Sequence, residues 1–129
     1  MHKKFLATGA LLGALAVALG AFGAHGLKKI VPEEAVLTFQ TGVQYQMYHA
    51  LALLLVGILN EKLPSKLIGY AGWFFITGII LFSGSLYLLT FLKATGTAGL
   101  SKTGLITPFG GLSFIAGWVC LFISVWRKN

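Results

Sequence analysis

Four long stretches of this chain contain no Lys, Arg, Asp or Glu: Phe5–Ala24, about Ala35–Leu59, Leu67–Leu92 and Pro108–Trp126. A helix that crosses a bilayer needs about 20 consecutive, mostly apolar residues. It must also satisfy every backbone polar group internally, which leaves few alternatives to a spanning helix. Four such runs predict an all-α, polytopic membrane protein whose four transmembrane helices form two antiparallel hairpins. Composition removes the other classes. The chain is 57% hydrophobic and only 10% charged, with a mean hydropathy of +0.84. A soluble domain carries about a quarter charged residues, and a disordered chain needs few apolar residues and high charge.

The breaks between runs carry helix punctuation. Pro32-Glu33-Glu34 suits a first helical turn, since proline fits there and carboxylates face the positive end of the helix dipole. Pro64 separates the second run from the third, and Thr107-Pro108 offers a capping hydroxyl before a proline. The stretch from Lys93 to Thr103, rich in Gly, Thr and Ser, is the longest expected loop. One domain over residues 1–129 follows, with spans at about 5–24, 35–59, 67–92 and 108–126. Lys3-Lys4 before an alanine-rich run also resembles a secretory signal, with cleavage conceivable after Gly20 or Gly23. The run is longer than a usual signal core, so a retained helix is expected.

Cations sit at the ends of the apolar runs, where they report topology and meet anionic lipid headgroups. With four spans, Lys3, Lys4, Lys62, Lys66, Arg127 and Lys128 share one side, and Lys28, Lys29, Lys93 and Lys102 the other. Six against four predicts both termini in the cytoplasm of a bacterial cell, across whose membrane the chain passes repeatedly. The net charge of +7 does not imply nucleic acid, because no basic face with interleaved aromatics is present. The single cysteine, Cys120, excludes an intrachain disulfide and reads as a small buried hydrophobe.

The 17 glycines are spaced with purpose. Gly9, Gly13, Ala16, Gly20 and Gly23 recur at 4, 3, 4 and 3, and Gly110, Ser113, Gly117, Cys120 and Ser124 at 3, 4, 3 and 4. Small residues on one helix face permit close backbone approach, the main source of helix pairing in lipid. The two seams are expected to pack span one against span four, with self-association or another membrane protein as the alternative.

Span two is the most polar. On a helical wheel Val36, Phe39, Val43, Met47, Ala50 and Leu54 share one face, and Glu34, Thr38, Thr41, Gln44, Tyr45, Tyr48 and His49 the other. Intramembrane polar groups are costly unless satisfied, so the polar face is expected to look inward or line a wet cavity. Thr41, Gln44, Tyr45, Tyr48 and His49 are therefore a candidate site. Two other accounts use the same residues: interhelical hydrogen bonds that merely fix the bundle, or an amphipathic segment along the interface. His25, inside Gly20–Leu27, is a candidate interfacial residue, with a histidine beside a glycine C-cap as its plainer account. His49 lies roughly 22 Å along span two and His25 near the opposite end of that depth range. Without a Cys or acidic partner, no metal or haem site is expected, and no cofactor. The hydroxyls of span three, Thr77, Ser83, Ser85 and Thr90, should bond back to their own helix.

Four segments carry a family likeness: Gly20–Leu27 (GAFGAHGL), Thr41–Leu54 (TGVQYQMYHALALL), Leu81–Leu89 (LFSGSLYLL) and Thr107–Trp118 (TPFGGLSFIAGW). In that order, across essentially the whole chain, they resemble the family of small bacterial membrane proteins of unknown function that includes YwdK and YgdD. The resemblance implies a four-span protein of the bacterial cell membrane with no assigned activity, and no catalytic residues to carry over. Two functional classes remain in view. One is a protein that binds or passes a small polar molecule or lipid along the polar face of span two. The other is a structural or assembly partner of a membrane protein, with no ligand of its own. An enzyme has the least support, since no acid, base and nucleophile set is present.

Overall fold

The computed structural model describes residues 2–63, 65–96 and 103–127. Pro64, Lys102, Lys128 and most of the loop expected between Lys93 and Thr103 lie outside the described residues. Helix α1 spans Lys3–Ala24 and leads through a short 3-10 turn, Leu27–Lys29, to α2 at Glu33–Lys62. Helix α3, Lys66–Gly78, passes through one wide π turn, Ile79–Ser83, into α4 at Gly84–Thr95. The last helix, α5, spans Thr107–Arg127. Since α3 and α4 form one continuous rod, four helices are long and apolar enough to cross a membrane.

These helices overrun the apolar runs by up to a turn, because their ends are capped within polar sequence. At the start of α1 the His2 ring accepts a hydrogen bond from the Phe5 N–H at 3.2 Å, while the His2 N–H reaches the Gly57 carbonyl at 3.0 Å. The first contact caps α1 and the second ties it to the far end of α2. Pro32 precedes α2, and Glu33 and Glu34 occupy its first turn, as the dipole favours. Ser65 caps α3 by accepting from the Ile68 N–H at 3.3 Å. Helix α4 ends at Gly96, whose φ of +68° is the left-handed conformation that only glycine adopts without cost. Thr107, expected as a capping hydroxyl, is instead the first residue of α5, and its side chain meets the Ser85 hydroxyl at 2.5 Å.

The small-residue seams act inside hairpins, not between spans one and four. A methyl group on Gly9 would come within 3.0 Å of the Ala50 carbonyl, and one on Gly23 within 2.7 Å of the Gln40 amide, so α1 lies against α2. Gly110 rests on the backbone of Phe82, and Gly117 leaves room for the Phe75 ring, so α5 lies against the α3–α4 rod. Elements consecutive in the chain are usually neighbours in space, and each seam accordingly meets the span next to it in sequence. Two apolar clusters follow. Phe5, Leu53, Val56, Ile68, Phe75, Phe114 and Leu121 are buried where the hairpins meet. Leu27, Val31, Ala35, Val36 and Phe39 close the turn between α1 and α2.

Candidate functional site

Helix α2 packs on two sides at once. The face with Phe39, Val43, Ala50 and Leu54 takes α1, while Gly42, His49, Leu53 and Val56 turn toward the α3–α4 rod and α5. The inward stripe therefore runs between the two faces of the helical wheel. It includes Gln46 and His49, both buried, and leaves Gln44, Tyr45 and Tyr48 exposed. Of the candidate cluster His49 is buried, and Tyr45, open on one side, packs its ring on Phe82 at 4.7 Å between centroids. Thr41 is partly buried and donates to the Leu37 carbonyl of its own helix at 3.0 Å. The expectation that the whole polar face looks inward is thus corrected, since a helix gripped from two sides buries the sector between them.

Two hydrogen-bonded nodes occupy that sector. In the first, the Trp118 indole N–H donates to His49 Nε2 at 3.0 Å, and His49 Nδ1 lies 2.7 Å from the Tyr45 carbonyl. An indole nitrogen can only donate, so Nε2 is the acceptor and the ring proton sits on Nδ1, pointing at Tyr45. The imidazole stacks on Phe114 at 3.6 Å between centroids and 7° between planes, with Phe75 at 5.4 Å. Gly78 makes room for the Phe114 ring, since any side chain there would occupy the same space. In the second node, Gln46 donates to the Leu12 carbonyl at 2.8 Å and accepts from the Tyr87 hydroxyl at 2.7 Å. One amide thereby joins α1, α2 and α4. Ser83, fully buried, donates across helices to the Gly42 carbonyl at 2.7 Å, and Ser113 to the Phe74 carbonyl at 2.8 Å. Span-three hydroxyls were expected to bond within their own helix; Thr90 and Ser85 do so, and Ser83 does not. Among the described residues every buried polar side-chain atom has a partner.

His25 is exposed and is itself the C-cap of α1, with Nδ1 2.9 Å from the Ala21 carbonyl, while Gly26 stays right-handed at φ −68° and is not the glycine cap expected there. No group of three His, Cys, Asp or Glu side chains converges among the described residues. The clefts lie toward the helix ends. One of about 230 Å³ is lined by Glu34, Thr38, Thr90 and Lys93, where Lys93 and Glu34 pair at 3.7 Å.

A family described as a protein of unknown function, DUF423, matches residues 19–111. The chain belongs to this family. Among its relatives, the membrane protein YwdK of Bacillus subtilis is 45% identical over 123 residues, covering 95% of each chain. A membrane protein of Staphylococcus aureus, SAB0533, is 42% identical over 127 residues, covering 97% of each. Another from Staphylococcus haemolyticus, SH2409, is 40% identical over 125 residues, with 97% of each chain covered. No solved structure matches. With relatives named as membrane proteins and four helices of spanning length, this DUF423 chain is an integral membrane protein of the four-helix type.

The segments that carry the family likeness also hold both nodes: Gln46 and His49, then Ser83 and Tyr87, then Phe114 and Trp118. Gln46, Ser83, Tyr87 and Trp118 were missed as partners from the sequence. The available signal was Gly42, Gln46, His49 and Leu53 at spacings of 4, 3 and 4. A glycine on such a seam marks close approach of a neighbour and so marks the inward side.

Proposed function

We propose that this DUF423 protein is an assembly partner in the bacterial cell membrane, associating sideways with another membrane helix through the outward face of α2. One observation carries this reading: Gln44 faces outward near the middle of the span and makes no hydrogen bond among the described residues. It lies about 4.5 Å along the axis from Met47, the midpoint of the apolar run. An amide at that depth has no water to bond, and leaving it in hydrocarbon costs free energy that a neighbouring helix can recover. Passage of a small polar molecule through the bundle has less support, because His49, Gln46 and Ser83 already hold one another's helices together. The excess of cations beside the termini supports an orientation with both ends in the cytoplasm.

The test uses single cysteines in a Cys120→Ala background, at Tyr48 on the proposed face and at Val17, which is 64% exposed on α1. A photoactivatable crosslinker attached at each position in native membranes should yield protein adducts from Tyr48 and lipid adducts from Val17. Lipid adducts alone from both positions would refute the assembly role.

A further inference from the structure

The face that carries Gln44 runs the length of α2 as Leu37, Thr41, Gln44, Tyr48, Leu51, Leu55 and Ile58, at alternating steps of 4 and 3. Leu37 is 62% exposed, Tyr48 54%, Leu51 57%, Leu55 45% and Ile58 46%. The seam is bulky and carries polar groups, whereas the outward face of α1 presents Ala7, Ala10, Ala14, Ala18 and Ala21, none with a polar side chain. Its ends are apolar and its centre holds an amide and a phenol with no hydrogen-bond partner among the described residues. An apolar seam interrupted by one central amide is the arrangement that sets register and partner number in paired helices.

We infer that the occupant of this face is a second copy of the chain, paired about a two-fold axis normal to the membrane so that the two Gln44 amides bond each other. The inference rests on the reading of the α2 face given above. Three points on the molecule select a copy over another protein. A carboxamide carries both donors and an acceptor, so two of them satisfy each other reciprocally. Copies inserted in one orientation run parallel, which brings their Gln44 residues to the same depth without adjustment. A two-fold axis places the same patch on both partners, and Leu37, Leu51, Leu55 and Ile58 then meet their own counterparts above and below the amide. Any other partner would need its own donor and acceptor at that depth on an apolar helix of matching pattern.

The experiment is resonance energy transfer between purified copies in phosphatidylethanolamine–phosphatidylglycerol vesicles. Donor and acceptor copies are labelled through a C-terminal tag, and the protein-to-lipid ratio is varied. Transfer should rise with density, and Gln44→Leu should move the midpoint to a density roughly five- to ten-fold higher, the loss of two reciprocal bonds in lipid. In the Cys120→Ala background, Tyr48→Cys should form a disulfide-linked dimer under mild oxidation and Val17→Cys should not. Gln44 is exposed, so its replacement leaves the fold intact, which a thermal melt verifies. Monomers at every density would overturn the inference, and crosslinks persisting in native membranes would then assign the face to a different protein. A dimer equally tight after Gln44→Leu would overturn it as well, because the two amides would then not be what holds the copies together.

Discussion

At the scale of single residues, the His49–Trp118 contact is the most informative polar contact in the bundle. Trp118→Phe keeps most of the ring packing and removes the donor, so Nε2 loses its partner while Nδ1 keeps Tyr45. Interhelical hydrogen bonds in membranes average about 0.6 kcal/mol and reach about 1.7. A double-mutant cycle of Trp118→Phe with His49→Phe, read by reversible unfolding in mixed micelles, should return a coupling in that range. Zero coupling would mean that the stack on Phe114 alone holds the imidazole. Gln46→Leu should cost more than Tyr87→Phe in the same assay, because it breaks two links instead of one. His49 could be recognised from sequence as a polar group too deep to leave unsatisfied. Its partner could not, since Trp118 lies 69 residues away and nothing local connects the two.

Among the elements, the glycines separate into those that define an interface and those that do not. A methyl on Gly110 would run into the backbone of Phe82, which cannot turn aside, whereas nothing lies within 4 Å of one on Gly13. Gly110→Ala should therefore destabilise by about 1–3 kcal/mol, the usual range for overpacking. Gly13→Ala should be neutral or slightly stabilising, since alanine is the better helix former. Unfolding of the two variants in parallel checks this, and equal effects would contradict the hairpin packing. Both glycines belong to seams that spacing alone revealed, so the faces were legible. Which helix each face meets was not, because small-residue spacing carries no information about the partner. The same limit applies to α2, where a wheel sorts residues by polarity but burial follows from neighbours on two sides.

Across the whole molecule, the four spans follow from the distribution of charge and apolar length, the strongest signal in the chain. Reporter fusions at the two termini should therefore read out the same compartment, and the cation balance makes it the cytoplasm. Opposite readings would remove a span. The Lys93–Glu34 pair, with its carboxylate 79% exposed, should contribute little, and Glu34→Gln should change stability by less than about 1 kcal/mol. No polarity pattern announces the π turn at Ile79–Ser83, because a helix with one residue too many per turn keeps the same composition. Its consequence reaches beyond the turn itself. Such a turn is one residue of slack in an otherwise regular rod, and deleting Ile80, which points outward at 64% exposure, would let the helix rewind. Everything from Gly84 onward would then keep its direction relative to α3, because the under-wound turn already absorbs the roughly 100° that its extra residue would add to a regular helix. Tyr87 would still reach Gln46. The turn therefore sets the phase between the two halves of the rod: loss of one codon there is taken up as a rewinding, whereas making the helix regular with every residue kept would rotate α4 by about 100° and part Tyr87 from Gln46.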